Sequence, residues 1–331
     1  MTKLSPLASP SATRAVLEAH GLATKKALGQ NFLINDAILV KIIELAQVSE
    51  NDFVLEVGPG IGTLTIALLK HAGHVVSVER DTDLPAVLAE TCEPWADRFM
   101  LVGKDALDLS QEDLCVAAEQ LGLSDGLDAA ARQDMRSDNA AWVADSPIHL
   151  PNKFVANLPY AVAATLVLDY FERFESLDSA TVMVQAEVAD RMCAKPGTKN
   201  YGAFTVKLSM FTEPAGRFSV SPGNFFPPPR VESSVLRLNR RAARDASGCL
   251  LDRATIKATC RMADASFANR RKTIANSCKT YFATQGDEGA VIAEKLPELF
   301  ELANVDPRVR GEALLREKFI DLGMALMQIR A

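Results

Sequence analysis

Residues 53–62 read FVLEVGPGIG. The first half, FVLEV (53–57), is a short apolar run closed by glycine, the pattern of a strand buried on both faces. The second half is a turn. Gly58 and Gly60 lack the Cβ that would hold the backbone away from a ligand, and they tolerate the conformations a tight turn needs. A helical pattern follows over 62–71, so its N-terminus offers unpaired amide groups to whatever the turn embraces. Such a unit predicts a nucleoside-containing ligand at the carboxyl edge of a parallel sheet.

The rhythm continues outward. HVVSV (74–78), FMLV (99–102), KFVAN (153–157) and ATVMVQ (180–185) predict four more strands, alternating with helical segments. This is an α/β pattern and implies a doubly wound, mostly parallel sheet. Residues 203–220 and VESSVLRL (231–238) are expected as two further strands, an antiparallel pair at the sheet edge. Residues 1–24 read as a leader with a partly helical stretch. Residues 111–150 break the rhythm with Ala, Asp and Ser and are expected to form a surface insertion with one or two helices. After Arg240 the pattern is helical, with helices near 252–267, 269–283, 288–303 and 311–328. The chain thus divides into a larger domain over 25–240 and a smaller, all-helical domain over 241–331.

Composition bounds the function. The chain has 331 residues, 48% of them hydrophobic, enough for one large core and a smaller one. No apolar stretch approaches the roughly 20 residues of a membrane helix, and the N-terminus lacks the apolar run of a secretory signal. The six cysteines are scattered with no metal-binding spacing, so reduced thiols, a cytoplasmic location and no metal are expected. The net charge of −6 argues against a polyanionic partner, but its distribution does not. Residues 111–150 hold eight acidic and two basic side chains, whereas Arg230 to Lys272 holds eleven basic and four acidic. That basic run is either a phosphate-binding surface or a solvated helical face; salt screening beyond about 10 Å makes the first compatible with the overall charge.

Glu79 and three further features, the glycine spacing, Asp105 and a tetrapeptide, bear on the ligand. Glu79 ends the second strand, where a carboxylate can accept both hydroxyls of a ribose. Asp105, in GKDAL (103–107), follows the third strand and can accept from an adenine amino group. Asn157-Leu158-Pro159-Tyr160 ends the fourth. The G-P-G-I-G spacing departs from the dinucleotide G-x-G-x-x-G, although an NAD-dependent oxidoreductase also fits the glycine loop. The tetrapeptide suits an aryl amine whose lone pair is delocalised. The Asn157 side-chain carbonyl and the Leu158 backbone carbonyl can accept its N–H bonds and stabilise positive charge developing on nitrogen. Pro159 fixes the backbone, and Tyr160 offers a stacking face worth about 1–3 kcal/mol. The plainer reading of NLPY is a strand-ending turn.

Taken with KKALGQNFLIND (25–36), VERD (78–81), EVADRMCAKPGTKNYGAFTV (187–206), NFFPPPRVESSVLRL (224–238) and RRKTIANS (270–277), these motifs make the chain resemble the ribosomal RNA adenine N6,N6-dimethyltransferases. The likeness is greatest to the bacterial small-subunit (16S) enzymes. The resemblance covers about 25 to 320 apart from the insertion. It implies a Rossmann-like sheet dependent on S-adenosylmethionine (SAM), with a helical C-terminal domain that meets the RNA substrate. It further implies that Asn31 and Leu33 contact the methionine end of SAM, Gly58 and Gly60 pass beneath it, Glu79 holds the ribose and Asp105 the adenine. Asn157 would serve both cofactor and target amine. Phe225 would clamp the flipped adenine against Tyr160, or else fill the core. Arg230, Arg237, Arg240, Arg241, Arg244, Arg270, Arg271 and Lys272 would meet phosphates. The implied partner is ribosomal RNA within an immature 30S subunit, acted on by a monomer. The acidic insertion is expected to lie away from the RNA. Two other readings stay open: a large-subunit (23S) methyltransferase of the macrolide-resistance type, and a noncatalytic assembly or transcription factor.

Overall fold

The computed structural model describes residues 3–24, 29–124 and 149–330. They form two compact units, one of residues up to Ala189 plus Pro214–Asn239, the other of Asp190–Glu213 plus Arg240–Ala331. The division is therefore discontinuous, where the sequence pattern implies a single cut near 240.

The first unit is built on strands β2 (Phe53–Val57), β3 (His74–Glu79), β4 (Phe99–Gly103), β5 (Lys153–Asn157), β6 (Ser179–Gln185), β7 (Thr212–Val220) and β9 (Ser233–Arg240). They form one sheet in the order β4-β3-β2-β5-β6-β9-β7. The pairs β4–β3, β3–β2, β2–β5 and β5–β6 are parallel, and β9 returns antiparallel to β6. The doubly wound reading holds. Every residue of β2 is buried, as expected for a strand covered by helices on both faces. The order reverses at β2, so a crevice opens between the carboxyl ends of β2 and β5. The register pairs Leu55 with Phe154, which brings Val57 and Asn157 to the same edge. Two-residue strands β1 (Phe32–Leu33) and β8 (Phe225–Phe226) form a separate antiparallel ladder.

Three local readings are corrected. Residues 203–220 are not one strand: Ala203–Leu208 is a helix, and only Thr212–Val220 joins the sheet. The helix packs Val206 and, one turn on, Met210 into the core of the second unit, and this burial overrides the β-propensity of a Phe-Thr-Val segment. The insertion starts later than expected. Gln111–Gln120 is a helix with a Ser110–Asp113 capping box and buried Leu114, Cys115, Ala117 and Ala118, so it belongs to the unit's core. The remainder, 125–148, lies outside the described residues. The leader is also integral: Pro10–Ala19 is helical, and Leu7, Ala8 and Leu17 join the core beside the sheet.

The second unit is a helical bundle with its own core. Arg253–Phe267 starts at Asp252, whose side chain accepts from Thr255 N at 2.7 Å. Ile274–Phe282, Gly286–Glu294, Leu296–Leu302 and Arg316–Arg330 follow, so the expected helix near 288–303 is broken, with Pro297 opening its second half. Helices Arg253–Phe267 and Arg316–Arg330 meet at Gly323, where a Cβ would stand 2.3 Å from Thr259 Oγ1 and 2.7 Å from its Cα. Gly323→Ala should therefore destabilise the chain by about 1–3 kcal/mol through overpacking, and denaturant titration will measure it. Unaltered stability would mean that the helices part without cost.

Candidate active site

The crevice holds a cavity of about 370 Å³ between the ends of β2, β3, β4 and β5. Its lining brings together Asn31, Leu33, Gly58, Gly60, Glu79, Asp105, Asn157, Leu158, Pro159 and Tyr160, residues from five separate stretches of sequence. The glycines show why the turn excludes other residues. Gly58 has φ +69° and Gly60 φ +59°, both left-handed. A Cβ on Gly60 would also lie 2.9 Å from the Phe32 ring. Gly58 N donates to Val78 O at 3.0 Å, locking the turn to β3.

Glu79 stands at the tip of β3. Its Oε1 accepts from Asp81 N at 2.8 Å. Burial raises its pKa, and backbone N–H groups of Asp81, Gly60 and Arg80 oppose that rise. Asp105 accepts from Arg80 Nη1 at 2.9 Å and from Leu107 N at 3.1 Å, which caps the turn Ala106–Asp108. Asn157 ends β5, and its Nδ2 donates to Asn31 O at 3.1 Å. With Nδ2 committed, the amide presents Oδ1 as its acceptor. Tyr160 lines the cavity and its hydroxyl is 2.6 Å from Ser233 Oγ on β9, which anchors the far end of the ring.

Phe225 is placed differently from its expected stacking role. It is 2% exposed, belongs to the hydrophobic core and does not line the cavity. Its partner in the β1–β8 ladder is Leu33, so it shapes the strap that carries Asn31. Phenylalanine in an extended pair beside three prolines satisfies both readings in sequence, and burial decides between them.

Several lining residues went unassigned in sequence. Gln30 lies within KKALGQNFLIND (25–36), and its Nε2 donates to Asp81 Oδ2 at 2.7 Å. Arg80 and Lys104 follow strand tips, a position that could have flagged them. Glu56 is the least expected. It is 1% exposed, lines the cavity, and its Oε2 accepts from Thr65 Oγ1 and Ser77 Oγ, both at 2.7 Å. Burial pushes its pKa up to about 7, helped by the charge of Glu79 and opposed by the two hydroxyls. A carboxyl with a raised folded pKa binds its proton more tightly in the native state. Its contribution to stability is full below its ordinary value of 4.5 and is lost as pH rises towards 7. Glu56→Gln should thus shrink the loss of stability between pH 5 and pH 8 relative to the parent protein, by a few kcal/mol at most. Parallel pH–stability curves would refute this.

The basic residues are divided between the units. In the first, Arg230 is exposed, but Arg237 is corrected to a structural role. Arg237 donates to Leu45 O at 2.9 Å and to Asn239 Oδ1 at 2.8 Å, closing the carboxyl end of the helix Asp36–Ala46. In the second unit, Arg240 is half-buried and Arg241 stands 3.6 Å from Glu213. Arg270 pairs with Glu312 at 3.0 Å and also donates to Thr198 O. Arg271 and Lys272 are exposed, in the turn before Ile274–Phe282 rather than on a helix. Among the described residues no His, Cys, Asp and Glu cluster could hold a metal, and no helix is long and apolar enough to cross a membrane.

Sheet order, glycine turn and Asn157 at the switch point define a Rossmann-like fold of the SAM-dependent methyltransferase class. The chain belongs to the ribosomal RNA adenine dimethylase family, whose profile matches residues 21–305. It is 36% identical over 326 residues to ribosomal RNA small subunit methyltransferase A of Enterococcus faecalis, covering 98% of each chain. It is 37% identical to the protein of that name from Shouchella clausii, covering 97% of this chain and 95% of that one. In fold it is similar to a dimethyladenosine transferase from Plasmodium falciparum, with a TM-score of 0.66 and 20% identity over 90% of this chain and 98% of that one. It is similar to the 23S rRNA methyltransferase ErmE, with a TM-score of 0.56 and 23% identity over 90% of this chain and 100% of that one.

Proposed function

We propose that this chain transfers methyl groups from SAM to N6 of two adjacent adenines in a 3′-terminal hairpin loop of small-subunit (16S) ribosomal RNA, during maturation of the 30S subunit. The observation that carries the reading is Asn157, placed in the cavity wall with its Nδ2 held by Asn31 and its Oδ1 left as acceptor. The full-length relatives named small subunit methyltransferase A support the small-subunit target over the large-subunit one.

The donor set fits SAM. Gly58 and Gly60 leave the floor of the cavity open to a bulky ligand, and no Cβ could be added at Gly60 without meeting Phe32. Glu79 would accept from the ribose hydroxyls, Asp105 from the adenine amino group, and Asn31 and Leu33 would hold the methionine end. When bound, SAM supplies an electrophilic methyl group on a sulfonium. Asn157 Oδ1 accepts one N–H of the target amine and the Leu158 carbonyl the other, drawing the lone pair out of the aromatic ring and stabilising the charge that develops on nitrogen. Tyr160, its hydroxyl tied to Ser233, presents a stacking face to the extruded base, whose unstacking costs a few kcal/mol. Holding donor and acceptor in line is then most of the task. The proton leaves to water after transfer, with no dedicated base. Exposed Arg230, Arg271 and Lys272, with Arg240, Arg241 and Arg270, would meet RNA phosphates.

The test is incubation of under-methylated 30S particles, and separately naked 16S and 23S RNA, with methyl-labelled SAM. Label should appear as dimethyladenine at two neighbouring positions of the small-subunit RNA. Label confined to 23S RNA would replace the reading with the large-subunit one, and no label would favour a noncatalytic factor.

A further inference from the structure

The helical unit holds a second cavity, of about 580 Å³, walled by Glu213, Arg241, Arg244, Asp245, Arg316 and Glu317. Three guanidinium groups line it, and the carboxylates present do not satisfy them. Glu213 stands 3.6 Å from Arg241 Nη1 and Glu317 3.8 Å from Arg316 Nη1, both beyond hydrogen-bond length. Asp245 is committed to its own turn, where Oδ1 accepts from Ser247 N at 2.9 Å, Ser247 Oγ at 2.7 Å and Cys249 N at 2.9 Å. Arg244 is anchored through Nη1 to Gly248 O at 2.8 Å.

Arg316 is the most confined of the three. Its side chain is 14% exposed and its Nε donates to Ser209 O at 3.0 Å. Its Nη2 is buried with no hydrogen-bond partner among the described residues. Burial and the neighbouring charge of Arg241 both work against its protonated form, and Glu317 and Glu213 only partly offset them. Native folds leave few buried donors unmatched, and a buried guanidinium nitrogen without a partner beside a cavity leaves room for an anion to supply one.

We propose that this cavity binds a phosphate group, gripped by Arg241, Arg244 and Arg316. Planar guanidinium forks match the paired oxygens of a phosphate. The two long-range carboxylates do not obstruct it, because Glu213 and Glu317 are 56% and 60% exposed and can turn to solvent. The natural source is a backbone phosphodiester of the substrate RNA, a choice that rests on the function proposed above. A free phosphate ester shares the chemistry and is separated by the experiment.

The full-length chain and its Arg244→Gln and Arg316→Gln variants are melted in sodium phosphate and in sodium chloride of equal ionic strength. Binding of a small-subunit 3′-terminal RNA hairpin is then followed against salt. Phosphate should raise the melting temperature of the parent chain over chloride, and both variants should lose that rise. The slope of log affinity against log salt should become shallower by roughly 0.7–0.9 for each phosphate no longer neutralised. A lost melting shift with an unchanged RNA slope assigns the site to a free phosphate ester. Equal melting responses in parent and variants overturn the proposal. Should Arg316→Gln fail to fold, exposed Arg244 carries the test. Labelled methyl transfer by the parent chain is read independently, so failure here leaves the enzymatic reading standing, and failure there leaves the phosphate site measurable.

Discussion

Asn157→Ala should lower the rate of methyl transfer by about 10²–10³-fold, the usual cost of removing one preorganised acceptor or donor from a developing charge. The residue sits at the tip of β5, where among the described residues the amide gives up one hydrogen bond, to Asn31 O. Replacement leaves the sheet register untouched, so the fold should persist. Cofactor affinity should fall by less than the rate, because the bond removed steadies Asn31, one of several groups that would hold SAM. The diagnostic pattern is a fall in kcat and kcat/KM together that is much larger than the rise in the dissociation constant of SAM. Single-turnover label transfer and calorimetric titration give the two numbers. Parent-like turnover in a folded, SAM-binding variant would remove Asn157 from the chemistry and, with it, the reading of the whole crevice.

Glu79→Ala should act on the other half of the reaction. The carboxylate would accept two ribose hydroxyls, and hydrogen bonds to a charged group are worth about 1.5–3 kcal/mol each. Losing both should weaken SAM binding by about a hundredfold or more. The pH dependence has a definite sign. Burial raises the Glu79 pKa, so its proton returns at a higher pH than for an ordinary carboxylate. Cofactor affinity in the parent chain should therefore fall as pH is lowered through that raised value, and the variant should lack this fall. Calorimetry at several pH values checks both statements. An affinity within threefold of the parent, with the same pH profile, would show that the ribose is held elsewhere.

Much of this was legible in the chain itself, for identifiable reasons. Strands such as FVLEV and KFVAN are buried on both faces, and a short apolar run bounded by glycine or proline has few other interpretations. Gly58 and Gly60 announce the turn because their φ values exclude side chains. Glu79, Asp105 and Asn157 follow strand tips, and parallel topology alone delivers strand tips to one edge. What escaped was set by tertiary partners. Nothing in EVGPG distinguishes the buried, twice-bonded Glu56 from an exposed acid, because Thr65 and Ser77 arrive from the next helix and the next strand. Phe225 and Arg237 look functional in sequence and are structural in space, since burial and the Leu45 carbonyl claim them. The Ala203–Leu208 helix was hidden by β-branched residues whose preference yields to packing in a second core.

The short ladder between Phe32–Leu33 and Phe225–Phe226 has a consequence for how such proteins diversify. It is reinforced by Asn35 donating to Asn224 Oδ1 at 2.7 Å, a bond between positions 189 apart. The segment bordering the donor pocket and the proline-rich loop beyond the sheet are thus halves of one interlocked piece. Grafting either alone from a cousin with different spacing would strand its counterpart's backbone amides. Insertions or deletions at this corner should be accepted only in matched pairs, and loop swaps between lineages should succeed only when both segments travel together.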